Sequence, residues 1–227
     1  MSSDYRSVQS PDRPTGPSAS GQGRRAAATA ASPDTKTAIQ IRRLVERGNL
    51  EEARERFSDL VESQQRRALR IAYHYLRDAA EAEEAVQDAF VKVFAHIHTY
   101  REAWPFEVWF TRILINGCLD RRKARARRDR WMLSSGDSGT SQALETSIAA
   151  AAEESPEARL LARERRAQIA AAVDRLDGRQ RLVFTLCQYG DCTPREVSAI
   201  TGLNESTVRV HLFRAARRLR TLLGGAA

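Results

Sequence analysis

The sequence predicts an all-α protein made of two small helical domains that are joined by a flexible linker and preceded by a disordered N-terminal tail. Apolar residues recur at spacings of three and four over most of the chain, and no stretch shows the alternation of a half-buried strand. Two stretches, 1–36 and 129–156, are rich in small and polar residues and have little to bury. Residues 192–220 have the pattern of a helix-turn-helix.

The first helical domain is expected over residues 37–128. The tail before it, 1–36, is dominated by Ser, Pro, Gly and Ala, a composition typical of disorder. Gly48 ends a first short helix, and Asp78 is a suitable break between two later ones. The predicted helices are 39–47, 50–62, 64–77, 80–97 and 105–128.

The second helical domain is expected over residues 157–223. The stretch that precedes it, 129–156, is small, polar and slightly acidic, which is typical of a flexible linker. The helical pattern then resumes and continues almost to the last residue. The predicted helices are 157–174, 178–188, 194–201 and 205–223.

The helix-turn-helix pattern predicts a surface that binds duplex DNA. Pro194 suits the first turn of a helix, and Gly202 suits its end. A second helix then begins at Asn204 or Glu205, and its outer face can enter a major groove. An amphipathic helix pair with merely solvated arginines is the alternative. The outer face consists of Ser206, Thr207, Arg209, Val210, His211, Phe213 and Arg214.

Helix 80–97 has one apolar face and one mostly acidic face. An acidic surface is poorly suited to DNA phosphates and better suited to a basic protein partner, although a solvated charged face is also compatible with it. The apolar face consists of Ala82, Val86, Ala89, Phe90, Val93, Phe94 and Ile97. The acidic face consists of Glu81, Glu84, Gln87, Asp88 and Lys92.

Two aromatic residues, Tyr100 and Trp104, lie in a predicted loop next to Arg101. Loop aromatics beside basic residues can stack unpaired bases. Both rings are also compatible with a role in capping the core.

The helix after this loop combines a polar stripe with a basic end. Arg112, Asn116 and Asp120 are four residues apart and share one face. Seven cations follow within ten residues, and like charges at this density repel each other unless a polyanion neutralises them. These cations are Arg121, Arg122, Lys123, Arg125, Arg127, Arg128 and Arg130. The combination favours single-stranded bases and their backbone as the ligand.

Composition narrows the class of protein. The net charge of +8 and a pI near 10.0 favour a polyanionic partner. The sequence has no apolar run of about 18 residues and no signal-peptide pattern, so a cytoplasmic protein without membrane insertion is expected. Cys118, Cys187 and Cys192 lack metal-binding spacing and predict reduced thiols. With no nucleophile–base pattern and no Gly-rich phosphate loop, neither an enzyme nor a cofactor or metal site is expected.

Several segments together resemble bacterial sigma factors of the extracytoplasmic-function type (group 4 of the sigma-70 family). AEEAVQDAFVKVF resembles the family pattern AEDLVQEAFLKVW. FEVWFTRILINGCLDRRKAR resembles the helix that follows it in the family, with Trp109, Asn116, Asp120 and Arg122 in place. VDRLDGRQRLVFTLCQYGDCTPREVSAITGLNESTVRVHLFRAARRLR resembles sigma region 4. The resemblance covers 57–128 and 157–223 in the family's order.

The resemblance implies a role for each segment. Residues 37–128 would be sigma region 2 and 157–223 sigma region 4. Core polymerase, through the coiled coil of its largest subunit, would bind Glu84, Gln87, Asp88, Val91 and Lys92. The −10 element would be bound by Tyr100, Arg101, Arg112, Asn116, Asp120, Arg121, Arg122 and Arg125. The −35 element would be bound by Ser206, Thr207, Arg209, Val210, His211, Phe213 and Arg214. The polymerase flap and an anti-sigma factor are further implied partners.

The sequence departs from the family pattern at a few positions. Leu176-Asp177 replaces the usual Leu-Pro before region 4, and Val210-His211 replaces Ser-Arg in the recognition helix, which implies an altered −35 preference. Two other functions remain open from the residues alone. One is a helix-turn-helix regulator that binds DNA without polymerase, and the other is an interaction protein that sequesters polymerase or an anti-sigma factor.

Overall fold

The computed structural model of the protein describes residues 32–135 and 156–224. Within these ranges the chain forms α-helices and one short 3-10 turn, Ile97–Thr99, with no β-strand. The first group of helices is α1 (Pro33–Glu46), α2 (Leu50–Leu76), α3 (Ala79–His96) and α4 (Phe106–Ser135). The second group is α5 (Pro156–Asp174), α6 (Gly178–Gln188), α7 (Pro194–Thr201) and α8 (Glu205–Gly224).

Several helix ends are determined by capping residues or by a glycine that can be recognised in the sequence. Asp78 caps α3, because its carboxylate accepts a 2.9 Å hydrogen bond from the Glu81 amide. Thr193 and Glu196 form a reciprocal capping box at the start of α7. Gly202, in the left-handed region with φ 73°, ends α7 and turns the chain into α8.

Three predicted boundaries are wrong. The chain forms one helix, α2, where two were expected, because Gln64, which follows the predicted break at residue 63, is buried and donates to Asp34 of α1. Helix α1 begins at Pro33, inside the predicted tail, since the Ser32 hydroxyl caps it. Helix α4 continues through residues 129–135, which the sequence assigned to the linker. The rest of the predicted tail and linker lies outside the described residues.

The first group packs around an aromatic and aliphatic core. Phe90 of α3 and Phe110 of α4 stack at 4.8 Å between ring centroids. Phe57 of α2 meets Phe90 edge to face at 6.2 Å. The predicted inner face of helix 80–97 is confirmed, because its apolar residues are buried or packed against this core.

The two groups are in contact, which the sequence did not predict. Residues of α6 and α7, among them Val183, Leu186 and Val197, belong to the same buried cluster as the first group. A smaller second core joins α5 to α8 through Val173, Ala215 and neighbouring residues. Among the helices of the described ranges, none is both long and apolar enough to cross a membrane.

Candidate nucleic-acid and protein interfaces

Helix α8 presents a continuous exposed face that combines two cations with two large apolar side chains. Val210 is 46% exposed and Phe213 is 69% exposed. Arg209 and Arg214 flank them on the surface, and Arg209 pairs with Glu205 at 2.6 Å. The exposed apolar side chains are suited to thymine methyl groups in a major groove, and the arginines beside them are suited to phosphates.

Two members of the predicted −35 set are less accessible than expected. Thr207 and His211 are half-buried, and Ser206 is exposed. The His211 Nδ1 is buried and has no hydrogen-bond partner. His211 is therefore only partly exposed on α8, and its place in the −35 set stays a prediction.

The acidic face of α3 is exposed as predicted, except for Glu81, which is half-buried. Glu84, Gln87, Asp88 and Lys92 all face solvent, and between them Val91 is 69% exposed. An exposed aliphatic residue within a ring of polar ones is typical of a protein-binding surface.

The basic end of α4 is partly neutralised by the protein itself. Arg121 forms ion pairs with Glu84 at 2.8 Å and Asp88 at 2.5 Å. Arg125 lies 3.9 Å from the Glu81 carboxylate. The expectation that only a polyanion neutralises these cations is thus wrong for Arg121 and Arg125, because the acidic face of α3 lies beside them.

Arg122 also departs from its predicted role. It is half-buried, and its guanidinium lies over the ring of Tyr75 of α2 at 5.4 Å. It therefore does not belong to the exposed stripe of α4. The polar stripe itself, Arg112, Asn116 and Asp120, is exposed.

Tyr100 is a core residue in this structure. Its side chain is fully buried, its hydroxyl donates to the Trp104 carbonyl at 3.0 Å, and its ring packs on Trp109 at 5.2 Å. Burial is the main cause that raises the pKa of the Tyr100 hydroxyl. The interpretation of Tyr100 as an exposed loop aromatic that stacks a base is therefore wrong for this conformation, and the alternative of a capped core holds. Arg101 beside it is exposed.

Trp104 is half-buried, and the second group covers part of it. The Arg195 guanidinium of α7 lies 5.4 Å from the Trp104 ring centroid. The loop at the start of α4 thus contacts the helix-turn-helix.

The contact between the groups centres on α2 and residues 189–192, here called the interdomain contact. Arg67 donates twice to the Gly190 carbonyl, at 2.7 and 3.0 Å, and once to Thr111 Oγ1 at 2.8 Å. Arg70 donates to the Tyr189 carbonyl and pairs with Asp191, both at 2.6 Å. Gly190 leaves no room for a side chain, since an added Cβ would lie 2.7 Å from the Leu186 carbonyl oxygen.

His74 completes the interdomain contact. Its ring stacks on Tyr189 with centroids 3.4 Å apart. The pKa of His74 is lowered to about 4, mainly by burial and additionally by the charges of Arg77 and Arg70. This surface was not predicted from the sequence, although the spacing of three and four among Arg67, Arg70 and His74 places them on one face of α2.

Comparison with protein families finds two matches along the chain. Residues 60–128 match Sigma-70 region 2, and residues 166–219 match Sigma-70 region 4. The first match covers the exposed faces of α3 and α4, and the second covers the helix-turn-helix.

Individual relatives agree with these matches. The RNA polymerase sigma-H factor of Pseudomonas aeruginosa is 28% identical over 179 residues, which cover 79% of this chain and 91% of that protein. The ECF RNA polymerase sigma factor SigE of Mycolicibacterium smegmatis is 28% identical over 74% of this chain, which spans 61% of that protein. The sigma factor RpoE of Bartonella quintana, solved with the anti-sigma factor NepR, shares the fold with a TM-score of 0.56 and 22% identity, covering 73% of this chain and 97% of that chain.

Proposed function

The chain belongs to the extracytoplasmic-function group of the sigma-70 family, and from this premise we propose which surfaces direct RNA polymerase to a promoter. Sigma factors are initiation factors and not enzymes, so its residues act by binding. We assign residues 37–128 to region 2 and 157–223 to region 4, joined by 129–156. We expect the protein to act in the cytoplasm, because the promoter and RNA polymerase are found there.

The −35 element is bound by the outer face of α8. Arg209 and Arg214 contact phosphates and base edges, while Val210 and Phe213 contact apolar base surfaces in the major groove. Ser206 adds a hydroxyl at the start of the helix. The exposure of Val210 and Phe213 between two arginines is the observation that supports this proposal most directly.

The −10 element is bound by the exposed stripe of α4 and by Arg101. Asn116 can hydrogen-bond a base edge, and Arg112 can hold the adjoining backbone. Tyr100 acts as a positioning residue, because its buried ring anchors the loop that includes Arg101. The acidic face of α3, with Val91 at its centre, binds core polymerase.

The packed arrangement must open for both elements to be bound together. The two elements lie about 25 base pairs apart, which is about 85 Å along DNA at 3.4 Å per base pair. In the structure, Arg195 of the helix-turn-helix lies only 5.4 Å from Trp104, at the start of α4. We therefore propose that the described conformation is a closed state, and that an anti-sigma factor, such as the one solved with the Bartonella quintana protein, binds this chain and regulates it.

Run-off transcription with core polymerase tests the proposal. Arg214→Ala and Arg209→Ala should each weaken promoter binding by about 1–3 kcal/mol and erase footprint protection over the −35 region. Arg66→Ala is the matched control, because Arg66 is an exposed arginine of α2 that belongs to neither of the proposed DNA-binding sets. Tight sequence-specific duplex binding by the chain without polymerase would instead favour an independent helix-turn-helix regulator.

A further inference from the structure

A cleft of about 480 Å³ lies at the seam between the two helix groups. Its walls come from α2, α4, α6 and the turn after α7. Its size is within the range of small-molecule sites, about 300–1,000 Å³. The promoter-binding and polymerase-binding faces proposed above leave this cleft unused.

One side of the cleft is apolar. Leu119 of α4, Leu182 of α6 and Leu203 of the turn line this side, and Leu119 and Leu203 are partly exposed. The Tyr75 ring also borders the cleft, but it is buried and lies under the Arg122 guanidinium. A flat apolar group fits such a wall, because it covers aliphatic surface without needing hydrogen bonds.

The other side is cationic. Arg122, Lys123 and Arg179 all line the cleft. Lys123 lies 3.7 Å from Asp120, whereas no ion pair within the described part of the chain involves Arg122 or Arg179. The Nη1 of Arg122 is buried and has no hydrogen-bond partner. A buried donor of this kind is costly unless a ligand accepts from it.

Positive charge also exceeds negative charge around Arg181, which is close enough to Arg122 to be affected by its charge. Arg77 and Arg181 share a single carboxylate, that of Asp174, at 3.5 and 3.4 Å. The Arg181 side chain is only 10% exposed, and its Nε is buried without a partner. The pKa of Arg181 is lowered, mainly by burial and additionally by the charge of Arg122. An anion at Arg122 would relieve this repulsion.

We propose that this cleft binds a small nucleotide, with its phosphates at Arg122 and Arg179 and its base on the aliphatic wall formed by Leu119 and Leu203. A phosphate suits guanidinium groups because they donate paired hydrogen bonds in a fixed plane. Since the walls come from both helix groups, the bound nucleotide stabilises the closed state. The proposed nucleotide site does not depend on the −35 and −10 assignments, so the failure of either proposal would leave the other unaffected.

Titration calorimetry of the full chain tests the proposal with ADP, pyrophosphate and adenosine as probes. ADP should bind saturably, pyrophosphate at least tenfold more weakly, and adenosine weaker still. Arg122→Gln and Arg179→Gln should each weaken ADP binding about tenfold, since each removes a charge-assisted hydrogen bond. Ala126→Trp, at an exposed position of α4 that lines the cleft, should abolish binding by filling it.

Two matched variants distinguish binding in the cleft from a general attraction of anions to a basic chain. Arg66→Gln removes an exposed arginine elsewhere on α2, and Ala95→Trp adds a ring on an exposed position of α3. Both should leave ADP affinity within twofold of the unmodified chain. The proposal is overturned if ADP does not saturate, if pyrophosphate binds as tightly as ADP, or if Arg66→Gln weakens binding as much as Arg179→Gln.

Discussion

Replacing Arg67 with alanine should open the contact between the two helix groups. The Arg67 guanidinium donates twice to the Gly190 carbonyl and once to Thr111, and its Nη2 lies 3.2 Å from the Cys192 Sγ. Gly190 is buried, so without Arg67 its carbonyl keeps only a weak 3.4 Å hydrogen bond from the Cys192 thiol and gains no water while the contact stays closed. Loss of the charged hydrogen bonds to this buried carbonyl costs about 2–3 kcal/mol. The ratio of open to closed molecules then rises about 30- to 150-fold.

The reactivity of the Cys192 thiol measures this opening. Cys192 is buried in the closed state, where burial raises the pKa of its thiol to about 11 and the charge of Arg67 partly offsets the increase. If Arg67→Ala only removed that charge, the thiol would ionise less and react more slowly. Opening exposes the thiol and makes it react faster, so the sign of the change distinguishes the two cases.

Modification by a thiol reagent, assigned to Cys192 by fragment ions in tandem mass spectrometry, gives the rate of this thiol separately from those of Cys118 and Cys187. Arg66→Ala is the control, since Arg66 is the exposed neighbour of Arg67 on α2. An Arg67→Ala rate equal to or below that of Arg66→Ala would refute the idea that this arginine holds the groups together.

Three further predictions follow from single side chains. Because the pKa of His74 is 6.5 in the unfolded chain and about 4 in the folded structure, protonation of His74 favours unfolding. The free energy of unfolding should therefore decline by about 1–2 kcal/mol as the pH drops from 6.5 towards 4, after allowance for solvent screening. His74→Phe keeps an aromatic ring against Tyr189 and should flatten that slope in thermal denaturation; an unchanged slope would contradict the assignment. Tyr100→Ala should destabilise the fold by about 3–5 kcal/mol and Tyr100→Phe by about 0.5–1.5 kcal/mol, and equal melting temperatures for both would contradict the core position. Val91→Asp should leave the melting temperature within about 2 °C and weaken binding to core polymerase at least tenfold, whereas unimpaired binding would remove α3 from the interface.

Much of the helical architecture was predictable because its signals are local. The capping pair Thr193 and Glu196, the glycine at position 202 and the apolar spacing between them define α7 and its turn without reference to the rest of the chain. The exposed face of α8 followed from the same periodicity, since residues that are not needed inside must point outward.

The errors arose where a distant partner decided the outcome. The stretch around Gln64 looked like a break between helices until Asp34 of α1 supplied its hydrogen-bond partner. The cations Arg121 and Arg125 looked unpaired until α3 brought carboxylates beside them. Tyr100 looked like an exposed loop aromatic, but its loop folds inward onto Trp109.

The sequence by itself determined the helical class, the order of the two sigma regions and the two faces that we assign to the −10 and −35 elements, because periodicity, capping and motif order are written along the chain. Only the tertiary structure revealed that Arg67 of α2 donates to the backbone of residues 189–192 and that a cationic cleft forms between the groups. It also revealed that Tyr100 is buried and cannot stack a base in the closed state. Each of these depends on atoms more than 100 residues apart or on a loop's direction, and a local pattern contains no information about which distant carbonyl or carboxylate a guanidinium will meet.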